Sequence, residues 1–228
     1  MTTDSAVTTS TVDHSADHAR SMDRMYRFTR HVYDASRRYY LFGRDTLLSR
    51  MTIRAGDRVL EMGCGTARNL IKLQRLHPHA KLFGLDASQL MLDTAALSLH
   101  RRGIQGVTLR QCLAERMDHQ ATFACKEKFD VIFFSYALSM MPTWKEAIDA
   151  ALASLQPDGR IYIVDFWDQA GYPRWFQWVL RRWLAMFHVH HRPQLHEHLA
   201  ILSQRSELTV QIEPIGRRYA FIGVIEPK

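Results

Sequence analysis

The chain has little cysteine, no long uncharged apolar run and, in its first twenty residues, almost no large apolar side chains. Cys64, Cys112 and Cys125 are an odd set without metal-type spacing, which suits reduced thiols in a reducing compartment. Charge interrupts the apolar stretches before the roughly 18 residues that a bilayer span demands, so no transmembrane helix is expected. Residues 1–20 lack the basic-then-apolar layout of a secretory signal, and a cytoplasmic protein follows as the expectation. The same stretch, rich in Thr, Ser, Asp and His, cannot offset its ordering entropy by burial and reads as a disordered tail. No internal repeat is visible, and no Gly-Lys-Ser/Thr loop for a nucleoside triphosphate occurs.

What is present is enough apolar material, 46% of 228 residues, for one large α/β domain. Net charge is +7, and because Asp4, Asp13 and Asp17 outweigh Arg20 in the tail, the body is more basic still. That potential would attract nucleic acid, an anionic membrane or small acids alike, so charge alone does not choose among them. Residues 21–50 carry a helical stripe (Met25, Tyr26, Thr29, Val32, Tyr33, Ser36, Tyr40) set among arginines, with Gly43 as its break, and are expected to form a helical cap.

From residue 51 strands and helices alternate, the signature of a parallel sheet covered on both faces. Strands are predicted over 57–62, 81–85, 107–112, 129–135 and 160–165, with helices over 67–76 and 87–100. Leu155-Gln156-Pro157-Asp158-Gly159 reads as the turn before the fifth strand, and 208–213 with 217–225 as a closing hairpin around Pro214-Ile215-Gly216. The expectation is a three-layer α/β Rossmann-like fold with a mostly parallel seven-stranded sheet ending in an antiparallel hairpin.

The first strand ends in Glu61-Met62-Gly63-Cys64-Gly65-Thr66. A Gly-rich turn there lets backbone approach a ligand closely, and the next helix offers N–H groups to polar atoms. The dinucleotide fingerprint places its third glycine three positions after the second, where this chain has Arg68, so a nicotinamide cofactor is disfavoured. Asp86 closes the second strand 21 residues after Gly65, and a carboxylate there can accept both hydroxyls of a ribose. Cys64, between the glycines, reads as a small residue beside a cofactor rather than a nucleophile.

Glu61, Gly63, Gly65 and Asp86 resemble the cofactor motifs of class I S-adenosylmethionine-dependent methyltransferases. Where that family often has an acidic residue for the adenine, this chain has Cys112-Leu113-Ala114-Glu115, so the backbone of Leu113 and Ala114, or Glu115, would take that role. Outside the common core, Met25-Tyr26-Arg27, Tyr33-Asp34, residues 38–44, Gly65 to Leu70, the run Ser135-Tyr136-Ala137-Leu138-Ser139-Met140-Met141-Pro142 and Phe187-His188-Val189 resemble the bacterial betaine-lipid N-methyltransferases. The resemblance runs from about Met22 to Pro214. It implies S-adenosylmethionine as cofactor and three successive methylations of diacylglyceryl-homoserine. It also implies an anionic inner-membrane surface and a homoserine-lipid synthase as partners, and no nucleic acid. Carried over residue by residue, the implied cofactor set is Tyr33, Arg44, Glu61, Gly63, Cys64, Gly65, Thr66, Asn69, Asp86, Ala87, Met91, Leu113, Ala114, Glu115 and Ser135.

The residues themselves also bear on a lipid acceptor. Between Trp175 and Phe187 a wide apolar face with three tryptophans opposes Gln177, Arg181 and Arg182, which fits either an interfacial helix or a buried one capping the site, within an insertion near 172–200. An ammonium cannot attack a sulfonium, so each transfer needs a proton removed, and His188 or Asp165 is a candidate base. A packed histidine and a helix cap are the plainer readings of those two. Aromatic faces tolerate the growing cation, which puts Tyr33, Tyr39, Tyr40 and Tyr136 forward, Tyr40 and Tyr136 first. Tyrosines on a helical stripe are equally core residues. Arg38, Arg44 or Arg192 would suit the homoserine carboxylate, with Tyr39 and Trp175 on the substrate side. His188, His190, His191, His196 and His198 cluster without nearby cysteine or a clear His-x-x-x-His pair, so no metal is expected. The alternative acceptors are phosphatidylethanolamine and a soluble amine.

Overall fold

The computed structural model describes residues 43–185 and 192–228. Strands Arg58–Met62 (β1), Lys81–Asp86 (β2), Val107–Gln111 (β3), Phe129–Ser135 (β4) and Leu155–Phe166 (β5) pair in parallel, whereas Leu208–Ile215 (β6) and Ala220–Pro227 (β7) add an antiparallel hairpin. The single sheet has the order β3-β2-β1-β4-β5-β7-β6. Its helices are Arg44–Arg50 (α1), Arg68–Leu76 (α2), Gln89–His100 (α3), His119–Phe123 (α4), Trp144–Ala153 (α5), Arg174–Ala185 (α6) and Pro193–Leu202 (α7). The expected three-layer architecture is therefore present.

Alternation along the central strands explains the layers. In β4, Val131 and Phe133 join Leu70, Leu73, Leu92 and Leu99 of α2 and α3, while Ile132 and Phe134 join Trp144, Ile148 and Leu199 of α5 and α7. A strand buried on both faces has to be apolar at successive positions, which is why Val131, Ile132, Phe133 and Phe134 run without a polar break. Chain order reverses between β1 and β4, since β2 and β3 lie to one side of β1 and β4 and β5 to the other. Ligands of open parallel sheets bind beyond the carboxyl ends of the strands at such a reversal.

The sequence places a turn at 155–159, but the fifth strand begins at Leu155. Phe129 pairs with Leu155 and Val131 with Arg160, so the Pro-Asp-Gly segment swells out between two ladder contacts instead of preceding the strand. The hairpin strands run to Ile215 and from Ala220, a few residues off the expected bounds, with Gly216, Arg217 and Arg218 in the left-handed region at the turn. Gly43, read as the helix break, has φ +86° at the N-terminal end of α1. Helices α4 and α5 have no counterpart among the sequence expectations, whereas α7 falls at the end of the helical insertion expected near 172–200. Thr143 precedes α5 with Glu146 three residues on, and Pro193 is the first residue of α7, start signals present in the sequence although no side chain makes a capping hydrogen bond there. The predicted tail, most of the N-terminal cap, and Tyr33, Arg38, Tyr39, Tyr40 and His188 lie outside the described residues.

Candidate active site

The loop after β1 is held open by backbone conformation. Gly63, Gly65 and Ala67 all have positive φ, at 80°, 52° and 59°. A Cβ on Gly63 would sit 2.9 Å from the Cβ of Ala137 and 3.1 Å from the Cε of Met141, so this position has room only for hydrogen. The N–H groups of Gly63 and Cys64 both donate to the carbonyl of Leu85 at the end of β2, locking the two strand ends together.

Asp86 is the electrostatic centre of this arrangement. Its Oδ2 accepts from the Gly65 N–H at 2.8 Å and its Oδ1 from the Ser88 N–H at 3.0 Å, and it is 7% exposed. A carboxylate oxygen can accept more than one hydrogen bond. The carboxylate is thereby fixed in orientation before any ligand arrives. Ser88, which the sequence reading passed over, also caps α3 by accepting from the Met91 N–H through its Oγ.

Beside Asp86 is a cleft of about 610 Å³, partly open to solvent. Gly63, Gly65 and Ala87 form one part of its wall, and Leu113, Ala114 and Glu115 another, so these predicted cofactor residues are brought together with Asp86. Tyr136 and Ala137 after β4 close the opposite side with Met140, Met141 and Thr143. Of the Ser135 to Pro142 run, the sequence puts forward Ser135 and Tyr136 alone as site residues. The crowding of Gly63 against Ala137 and Met141 explains its presence here, because loop and cleft wall are in van der Waals contact.

Other candidates lie behind the cleft. Glu61 is buried, and its Oε1 accepts from Asn69 Nδ2 at 2.6 Å, a pairing of strand end to first helical turn. Cys64, Met91 and Ser135 are buried and Thr66 half-buried, and none of these lines the cavity. Burial pushes the Cys64 thiol well above its usual range, with Asp86 and Glu61 adding repulsion, so it is not a reactive nucleophile. Arg44 is buried, off the cleft wall, and its charge reaches the Tyr136 hydroxyl.

Tyr136 has φ +55° and is 1% exposed, with its ring 4.6 Å from that of Phe166. A bulky residue in the left-handed region at a strand end costs on the order of 1 kcal/mol or more and persists where the surroundings impose it. Burial raises its hydroxyl pKa well above the ordinary value, so it stays a neutral phenol. A neutral aromatic wall is compatible with a cationic ligand; a phenolate base is not available here.

Asp165, the other described candidate for proton removal, is fully buried at the end of β5. Its oxygens accept from the N–H groups of Ser139 at 3.0 Å and Phe166 at 2.8 Å, and it does not face the cleft. The geometry is that of a tie between the β4 loop and β5. Burial, only partly offset by those donors, raises its pKa to about 6 from 3.8. The folded protein therefore binds more protons than the unfolded chain between those values, and the contribution of this group falls as pH rises from about 4 to 6. Relative to Asp165→Asn, which cannot titrate, the protein should lose on the order of 2 kcal/mol between pH 4 and 7. Urea unfolding of both proteins at the two pH values measures this, and a pH-independent difference would contradict it.

Of the clustered histidines, His196 stacks on Trp167 with ring centroids 4.5 Å apart, and His198 meets Trp144 edge-on at 5.2 Å. Among the described residues no group of His, Cys, Asp and Glu is arranged to hold a metal ion.

Sheet order, glycine loop and anchored carboxylate together define a Rossmann-like nucleoside-binding domain. Residues 53–206 match the methyltransferase domain family, and the chain belongs to it, as a class I S-adenosylmethionine-dependent methyltransferase. Two curated relatives are demethylmenaquinone methyltransferases. That of Lactobacillus johnsonii is 26% identical over 54% of this chain and 49% of its own length. That of Anoxybacillus flavithermus is 26% identical over 66% and 58%. The chain thus spans about half the length of the curated relatives it matches. Among solved structures, the plantazolicin methyltransferase BpumL, in complex with a triazolic desmethylPZN analog and SAH, superposes with TM-score 0.64 at 13% identity, covering 95% of this chain and 99% of that one. A SAM-dependent methyltransferase from Aquifex aeolicus gives TM-score 0.58 at 16% identity, covering 83% and 92%.

The residues present fit that cofactor. A carboxylate already oriented by two backbone donors would accept the ribose hydroxyls, and the side-chain-free edge at Gly63 and Gly65 would admit the chain bearing the sulfonium. The apolar Leu113-Ala114 wall would receive the adenine.

Proposed function

We propose that this chain transfers methyl groups from S-adenosylmethionine to the amino group of diacylglyceryl-homoserine, giving the trimethylated betaine lipid. The observation that carries the lipid part is α6, which follows β5 at the cleft end of the sheet. Its Trp175 is 69%, Trp178 63% and Val179 49% exposed, and Leu180 packs against the core. Arg182 lies over the Trp178 ring at 5.4 Å. Exposed tryptophans beside arginines on a basic protein match an anionic lipid interface. No helix among the described residues is long and apolar enough to cross a membrane, so a lipid acceptor would be met at the surface.

The bound cofactor supplies an electrophilic methyl carbon, displaced in line. The chain's own contribution is placement: Asp86 and the loop fix one reactant, and the Tyr136 wall gives the amine a neutral aromatic neighbour as its charge grows. Each transfer also releases a proton, which water at the open cleft can take.

Replacing Trp175 and Trp178 together by alanine should weaken binding to anionic vesicles about tenfold or more, leaving S-adenosylhomocysteine affinity intact. Vesicle co-sedimentation and calorimetry read the two effects separately, and simultaneous loss of cofactor binding would make the helix part of the core. The acceptor itself is tested by expressing the chain with a homoserine-lipid synthase and extracting lipid. Absence of trimethylated homoserine lipid would overturn this choice, and phosphatidylethanolamine methylated in its place would select the phospholipid alternative.

The names of the relatives favour a second reading, a demethylmenaquinone-like quinone as acceptor, which is itself membrane-borne. It would share the exposed helix but not the need for an amine.

A further inference from the structure

The loop that carries the chain from β5 into α6 is bonded to the turn between β6 and β7. The Trp167 N–H donates to the Tyr219 carbonyl at 3.0 Å, and the Gln169 N–H to the Arg218 carbonyl at 2.9 Å. Gly171 lies against the same turn. A Cβ there would stand 2.5 Å from the Arg217 carbonyl oxygen, so backbone packs on backbone with no side chain between. Gln169 is 1% exposed with φ +60°, a conformation that a non-glycine residue keeps where its surroundings impose it. The start of α6 and the β6–β7 turn are therefore one packed unit.

The exposed side chains of this unit share a chemistry. At about 100° per residue, Arg174, Trp175, Trp178, Val179 and Arg182 fall within about 140° of the α6 circumference, and all five are exposed. Gln177 and Leu180 lie on the other side and are half-buried, Leu180 against the core and Gln177 donating to the Tyr172 carbonyl at 2.8 Å. The turn adds Arg217, exposed at φ +53°. Its neighbour Arg218 is taken up by Asp168 and by the Trp167 ring. Arg174 and Arg217 have no ion-pair partner among the described residues. Unmatched arginines set around exposed tryptophans complement the phosphates of an anionic leaflet and the interface beneath them.

The place of this surface in the fold gives it a direction. The loop into α6 leaves the carboxyl end of β5, and Ala220, where β7 begins after the turn, pairs with Phe166 at that same end. The cleft is walled by residues at the carboxyl ends of β1, β2 and β4. Surface and cleft thus lie at one end of the sheet.

We propose that the β6–β7 turn is a second membrane contact, where Arg217 binds headgroup phosphate of an anionic phospholipid bilayer beside Arg174 and Arg182, so that the docked chain turns the cleft end of its sheet toward the lipid. The proposal rests on the lipid reading above and adds to it an element and an orientation: an acceptor headgroup enters the cleft without leaving the bilayer.

The test is co-sedimentation of the unaltered chain and single variants with mixed phosphatidylcholine and phosphatidylglycerol vesicles that contain no methyl acceptor. Arg217→Gln should weaken binding about fivefold, the effect of one basic residue at an anionic surface. Arg101→Gln removes the same charge from an exposed position after α3, at the opposite end of the sheet, and should change binding less than about twofold. On phosphatidylcholine alone the two variants should bind alike, and both should keep the S-adenosylhomocysteine affinity of the parent, which shows that they fold. Hydrogen exchange on the vesicle-bound chain should slow at the turn, residues 216–218, and not in the loop 101–106.

A loss in Arg217→Gln no greater than in Arg101→Gln, or a turn that exchanges as fast on vesicles as in solution, would overturn the second contact and leave α6 docking alone. No binding to the mixed vesicles would overturn it together with the α6 surface. Because these vesicles hold no acceptor, docking through both elements without methylation of diacylglyceryl-homoserine would uphold this surface and sink the proposed acceptor. Methylation of that lipid by a chain whose turn stays unprotected would do the reverse.

Discussion

Asp86→Ala is expected to reduce affinity for S-adenosylhomocysteine by more than about 100-fold, to the limit of calorimetric detection. Two losses combine. The ribose hydroxyls would lose their charged acceptor, and the N–H groups of Gly65 and Ser88 would lose the partner that holds loop and helix in register. Leaving buried donors unpaired costs about 1–3 kcal/mol each, so the variant should also unfold at lower urea concentration. Asp86→Asn separates the contributions, since its amide keeps the shape but turns a donor toward one of the two N–H groups. It should fall between the parent and the alanine variant in both measurements. Affinity within about threefold of the parent in Asp86→Ala would mean that the nucleoside is held elsewhere.

Gly63→Ala is expected to damage both stability and cofactor binding. At φ +80° the added Cβ is conformationally strained, and at 2.9 Å from the Cβ of Ala137 it meets an atom that cannot rotate away. Met141, at 3.1 Å, can yield. The loop or the residue 137 segment would have to shift, and both are walls of the cofactor cleft. Stability should fall by about 2–4 kcal/mol, with at least about tenfold weaker cofactor binding. Gly103 provides the control: it also has positive φ, but nothing lies within 4 Å of its added Cβ, so Gly103→Ala should lose only the strain. Equal effects at the two glycines would show that conformation alone matters at Gly63.

The parts of this site legible in the sequence are those written locally. The strand, Gly-x-Gly and following helix are contiguous, and Asp86 falls at a strand end that hydrophobic patterning locates within a residue. Arg68 at the first position of α2 is exposed, consistent with a helix start that needs no third glycine. What escaped depends on distant partners. Asp165 has the composition of a catalytic base, yet its role is fixed by N–H groups of Ser139 and Phe166, and one of these is 26 residues away. The bond of Glu61 to Asn69, eight residues on, is likewise not legible in the sequence. The Pro157 to Gly159 segment carries turn chemistry faithfully, but the pairing of Leu155 with Phe129 draws it into the strand as a bulge. Arg192 was one of three arginines that composition could not rank. The fold shows its Nε bonded to the Ser139 carbonyl, 53 residues away.

The most direct measurement of the central claim is methyl transfer by the purified chain from isotopically labelled S-adenosylmethionine into micelles containing equal amounts of diacylglyceryl-homoserine, phosphatidylethanolamine and demethylmenaquinone, followed by mass spectrometry of each lipid. Label is expected in the homoserine lipid alone, added in up to three successive methyl steps, and none with Asp86→Ala. Label on the quinone ring, or on no lipid while the cofactor binds normally, would contradict it.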